Sequence, residues 1–113
     1  MKNKIGDEAR INHILDAVLE IEKYLYQKTY NDFQADTMLQ SACIRQLEII
    51  GEAAGRISEA LKKKSNSVEW REIIGLRNLL IHEYFGVDID LVWQILETDI
   101  PKLKSNIRTI LSV

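Results

Sequence analysis

Residues 32–63 read DFQADTMLQSACIRQLEIIGEAAGRISEALKK. Within this stretch Leu39, Cys43, Leu47, Ile50, Ala54, Ile57 and Leu61 recur at steps of three and four, the period of one helix face and not of a strand. The stripe predicts one long helix from about Asp32 to Lys63 with a face in the core. Near its end, IGEAAG sets Gly51 and Gly55 one turn apart beside Ala53 and Ala54. Two mid-helix glycines cost roughly 1 kcal/mol each against alanine, and a second backbone crossing closely at that level is the simplest compensation. Lys62, Lys63 and Lys64 suit the negative end of the helix macrodipole, and Ser65, Asn66 and Ser67 read as a loop.

The same period extends to either side. From about Ile5 to Lys28, the residues Ile11, Ile14, Leu15, Val18, Leu19, Ile21 and Leu25 mark a helix, and Asn31 and Asp32 read as a turn and N-cap. After the loop, Asn66 or Ser67 caps a helix VEWREIIGLRNLLIHEYF that Gly86 ends. Asp88 starts another, and Pro101, favoured in a first turn, starts a last one with Leu103, Ile107, Ile110 and Leu111 inward. Short loops between them predict antiparallel neighbours. The expectation is an all-α, up-and-down bundle of about five helices, a single domain over residues 1–113.

Bulk composition agrees with such a bundle and narrows the function. The chain has 113 residues, 46% of them hydrophobic, enough for a core without staples. Cys43 is the only cysteine, which excludes an internal disulfide and predicts a buried thiol in a reducing compartment. The start, MKNKIGDEARINHIL, has no apolar signal-like run, and no stretch reaches the length of a membrane span, so a cytoplasmic location is expected. Net charge is −2, which excludes a global basic field for holding long nucleic acid. Any contact with nucleic acid must be local.

The least ordinary residue is Arg77. On a wheel of about 100° per residue, Trp70, Ile73, Ile74, Leu80, Ile81 and Tyr84 fall within about 60° of it, so a guanidinium sits in an apolar stripe. That face must meet a carboxylate or a groove open to an anion. His82 lies about 140° round and roughly 7.5 Å along, with Asn78 one turn before it on the same edge and able to orient its imidazole. Tyr84 is two turns from Arg77 and nearly in line. RNA hydrolysis needs little more, because the substrate's 2′-hydroxyl is the nucleophile, a histidine moves protons and an arginine holds the phosphate charge. Neither histidine has a glutamate at the E-x-x-H spacing, so a site with no metal and no cofactor is expected.

Residues alone leave other readings open. Arg77 pairing with Glu48 or Glu52 would be a structural bridge, His82 an ordinary edge histidine, and Tyr84 a core aromatic. His13 reads as a surface residue, and Trp70 and Trp93 as core or interface anchors.

RNLLIHEY, residues 77–84, resembles the R-x-x-x-x-H-x-Y signature of HEPN-domain proteins of the HepT toxin family. The likeness runs on through LEIIGEAAGRIS before it and VWQILETDIPKL after it, although SNSVEW lacks the prolines the family often carries there. The resemblance implies a homodimeric helical ribonuclease toxin, with Arg77 and His82 of both copies lining a shared cleft and Asn78 in support. It implies as partner a minimal nucleotidyltransferase antitoxin that attaches AMP to Tyr84, and mRNA or tRNA as substrate. A cleft between two copies would also reconcile the divergence of Arg77 and His82. The alternative is a non-catalytic nucleotide- or partner-binding helical module.

Overall fold

A computed structural model describes residues 2–78 and 88–112, with side chains from residue 6 onward within those spans. The described residues are helical with no strand, as the periodicity predicts. The helices are α1 (Lys2–Leu25), α2 (Tyr30–Ala35), α3 (Thr37–Gly55), α4 (Glu59–Lys64), α5 (Trp70–Gly75), α6 (Ile89–Gln94) and α7 (Ile100–Leu111), with a π-helical segment, Ile95–Asp99, joining the last two.

The apolar stripes pack as read. Ile11, Ile14, Val18 and Ile21 of α1 meet Cys43, Leu47, Ile50 and Ala54 of α3, and Leu103 and Ile107 of α7 complete the same core. α1 and α3 run antiparallel. The Asp7 carboxylate accepts from the Ser58 backbone N–H at 2.9 Å and the Ser58 hydroxyl at 2.6 Å, while at the other end Gln46 donates to the Tyr24 hydroxyl at 3.2 Å.

The single helix expected over 32–63 is three helices, because polar side chains offered the backbone other partners. Asp36 leaves the helical region at φ −119° and its carboxylate accepts from Leu39 N at 3.0 Å, capping α3. At the break Gln40 donates to the Phe33 and Gln34 carbonyls, the first of which also accepts from the Asp36 N–H. Ser58 does the same for α4, accepting from Leu61 N at 3.2 Å. The first helix ends at Leu25 rather than Lys28, because Gln27 takes a left-handed φ of 57°. Thr29, not Asn31 or Asp32, is the next cap, and Asp32 completes a capping box with it.

The helix after the loop starts at Trp70, without a side-chain cap from Ser67 or Asn66, and the indole donates to the Ser65 carbonyl at 3.0 Å. It gives way at residues 76–78 to a 3₁₀ turn, so the 3.6-residue wheel drawn through Arg77 does not hold beyond Gly75. The end expected at Gly86 lies outside the described residues. Asp88 caps α6 as expected, accepting from Leu91 N at 3.1 Å. The helices expected to separate at Pro101 instead form one uninterrupted helical run from 89 to 111. Proline offers no N–H to the carbonyl a turn earlier, and the backbone widens into the π segment just before it. Trp93 anchors this run against Phe33, with ring centres 5.2 Å apart, and the Tyr30 hydroxyl donates to Asp90.

Candidate functional site: an arginine-lined cleft

The glycine pair of α3 positions Arg77. A Cβ on Gly51 would collide with the Arg77 backbone nitrogen and lie 3.1 Å from its Cα, and a Cβ on Gly55 would lie 2.7 Å from its Nη1. The close crossing expected from IGEAAG is therefore the 3₁₀ turn itself. Gly51 seats the backbone and Gly55 leaves the path for the guanidinium.

That path opens into a cleft of about 570 Å³ lined by Arg10 and His13 of α1, Arg45, Glu48, Ile49, Glu52 and Ala53 of α3, Arg56 just beyond it, and Arg77. Residues 45, 48, 49, 52, 53 and 56 are one face of a helix, and 10 and 13 are one turn apart on the helix packed against it. Four of the six arginines of the chain lie here, and no lysine does among the described residues. Counting His13 as neutral, four guanidinium groups face two carboxylates among the described residues, a local excess of positive charge there on a chain whose net charge is −2.

Neither carboxylate forms an ion pair with Arg77 among the described residues. Glu52 instead meets Arg56 at 3.4 Å with both side chains more than half exposed, a pairing worth little in water. Glu48 is buried and is not a free charge. Arg77 and Asn78 are both exposed, so the guanidinium is available to an anion rather than spent in the core. His82 and Tyr84, the other expected site residues, lie outside the described residues.

A family model for "Ribonuclease HepT-like" matches residues 14–110. The chain belongs to the HepT-like ribonuclease family. Among similar proteins, one of Methanocaldococcus jannaschii named "Putative RNase" is 39% identical over 91% of this chain and 94% of its own length. One of Thermococcus cleftensis named "Probable ribonuclease HepT" is 40% identical over 83% and 86%. A third, also from Methanocaldococcus jannaschii and named "Gamma-glutamylcyclotransferase and putative RNase", is 44% identical over 89% of this chain, which spans only 46% of that protein. No solved structure matches.

In this family member, Arg10, His13, Arg45 and Arg56 were not singled out from sequence as site residues. Their spacing along α1 and α3 was visible, but which faces meet depends on how the two helices pair. His13 is exposed, as expected, yet its place in the cleft beside Arg77 is more than a bare surface position.

Proposed function

We propose that this protein is a ribonuclease that cuts RNA without a metal, using Arg77 and His82. The observation that carries the proposal is the Arg77 guanidinium, held against Gly55 at an arginine-rich cleft in a chain of the HepT-like family. The substrate's 2′-hydroxyl attacks the adjacent phosphorus as His82 accepts its proton. The 5′-oxygen of the next nucleotide leaves and takes up a proton, and the products are a 2′,3′-cyclic phosphate and a 5′-hydroxyl. Arg77 offsets the charge that grows on the phosphoryl oxygens, and Asn78 orients the imidazole.

The active form is a homodimer in this proposal. Exposure of Arg77 and Asn78 on one chain supports a site completed by a second copy. The protein is the toxin of a toxin–antitoxin pair in the cytoplasm, and a minimal nucleotidyltransferase antitoxin silences it by attaching AMP to Tyr84, adding bulk and negative charge. Among the described residues no helix is long and apolar enough to cross a membrane.

Expression in cells tests the toxin reading. The intact protein halts growth, folded His82→Ala and Arg77→Ala variants do not, and full toxicity of folded His82→Ala would contradict the mechanism. Incubation with the nucleotidyltransferase and ATP raises the intact mass by AMP increments in the wild type and not in Tyr84→Phe. No shift with an active partner would remove the modification from the account.

A further inference from the structure

We propose that the cleft between α1 and α3 is the track for the RNA strand beyond the cut, with Arg45 and Arg10 as positioning residues that hold flanking phosphates. The inference rests on the ribonuclease reading for its ligand and deepens it, because the catalytic pair alone does not explain the cleft.

Three observations carry it. Among the described residues arginine supplies the positive charge: Arg10, Arg45, Arg56 and Arg77 line the cleft and no described lysine does. Its planar fork of donors matches phosphate oxygens in two places at once, whereas a merely solvated surface would use lysine as readily, and this chain has nine. The cleft is also longer than one phosphate group. From Arg45 to Arg56 is eleven residues, roughly 16 Å along a helix axis, and Arg77 sits at the Gly51–Gly55 level towards the far end. Finally, Arg45 is exposed and forms no hydrogen bond or ion pair among the described residues. Among the described residues Arg10 is engaged only with the Gly6 carbonyl, at 3.2 Å, which leaves most of its donors for a ligand. Of the two carboxylates, Glu52 is turned to Arg56 and Glu48 is buried.

A chain of net charge −2 thus holds RNA by a short local stripe. Such contacts fix where the strand lies without reading bases, so they act on binding and not on the chemical step. The probe is a fluorescently labelled, single-stranded, 2′-O-methylated oligonucleotide of about ten residues, which cannot be cut because its nucleophile is blocked. Anisotropy is measured over a range of salt concentrations. Arg45→Ala and Arg10→Ala each weaken binding roughly three- to tenfold in every sequence and flatten the logarithmic salt dependence by about 0.7 per lost phosphate contact. Arg45→Lys recovers part of the affinity and the full salt slope, and Lys63→Ala, at an exposed position outside the cleft, changes neither. With cleavable RNA, Arg45→Ala raises KM by the same factor and leaves kcat in place.

Unchanged affinity and salt slope in folded Arg45→Ala and Arg45→Glu would overturn the proposal, as would an equal loss in Lys63→Ala. If the wild type binds through Arg45 but cuts no RNA, the ribonuclease reading fails and the track stands. If it cuts RNA with a KM indifferent to Arg45, the track fails and the ribonuclease reading stands.

Discussion

Gly55 and the guanidinium of Arg77 occupy adjoining space, such that a methyl group on the glycine would stand 2.7 Å from Nη1. One turn earlier, Gly51 bears on the backbone of the same arginine. The two glycines therefore do different jobs, and substitution separates them.

Gly51→Ala drives a methyl group into backbone that cannot swing aside. It is expected to destabilise the fold by about 1–3 kcal/mol, read as a lower urea midpoint, because overpacking against main chain must move a whole turn.

Gly55→Ala meets only the far end of a flexible side chain. Stability stays within about 1 kcal/mol of wild type, since the better helix propensity of alanine offsets the crowding. RNA cleavage falls at least about tenfold, because the guanidinium is pushed from its path. A Gly55→Ala enzyme with unchanged kcat/KM would show that this path does not matter.

Asp7 ties the start of α1 to the α3–α4 junction through two bonds to Ser58. In Asp7→Ala the part-buried Ser58 N–H loses its acceptor, and a cost of about 1–3 kcal/mol is expected in denaturant titration. RNA binding weakens as well, because Arg10 and His13 follow Asp7 on the same helix.

Cys43 is fully buried, and burial pushes its thiol from 9.0 up to about 11. The unfolded chain loses this proton first, so the stability held by the neutral buried thiol is complete below pH 9 and is lost as pH rises towards 11. The stability advantage of wild type over Cys43→Ala narrows across that window. An advantage independent of pH would contradict the assignment. At neutral pH the native thiol reacts with a disulfide reagent only as fast as the protein opens.

Helix content and the core stripe were legible in the sequence because both depend on period alone. Cys43, Leu47, Ile50 and Ala54 are buried as the three- and four-residue steps require. The breaks were harder to read, since Asp36 and Ser58 are compatible with a helix interior until a neighbour such as Gln40 or Asp7 completes the alternative bonding. Pro101 was visible as a helix signal, but whether it separates two helices or widens one depends on the core beneath it. At the site, IGEAAG announced a close crossing and Arg77 an unusual cation, and each explains the other. Arg10, His13 and Arg45 joined them only when α1 paired with α3, because residues 10, 45 and 77 come to line one cleft by tertiary packing.

The most direct test is cleavage of single-stranded RNA by highly purified protein in excess EDTA, with wild type and His82→Ala compared at equal fold by circular dichroism. Wild type cuts and leaves cyclic phosphate ends, while His82→Ala loses at least about 100-fold in rate, the usual worth of a proton-transfer group. A wild type that leaves RNA intact, or a folded His82→Ala that cuts at the wild-type rate, would contradict the account.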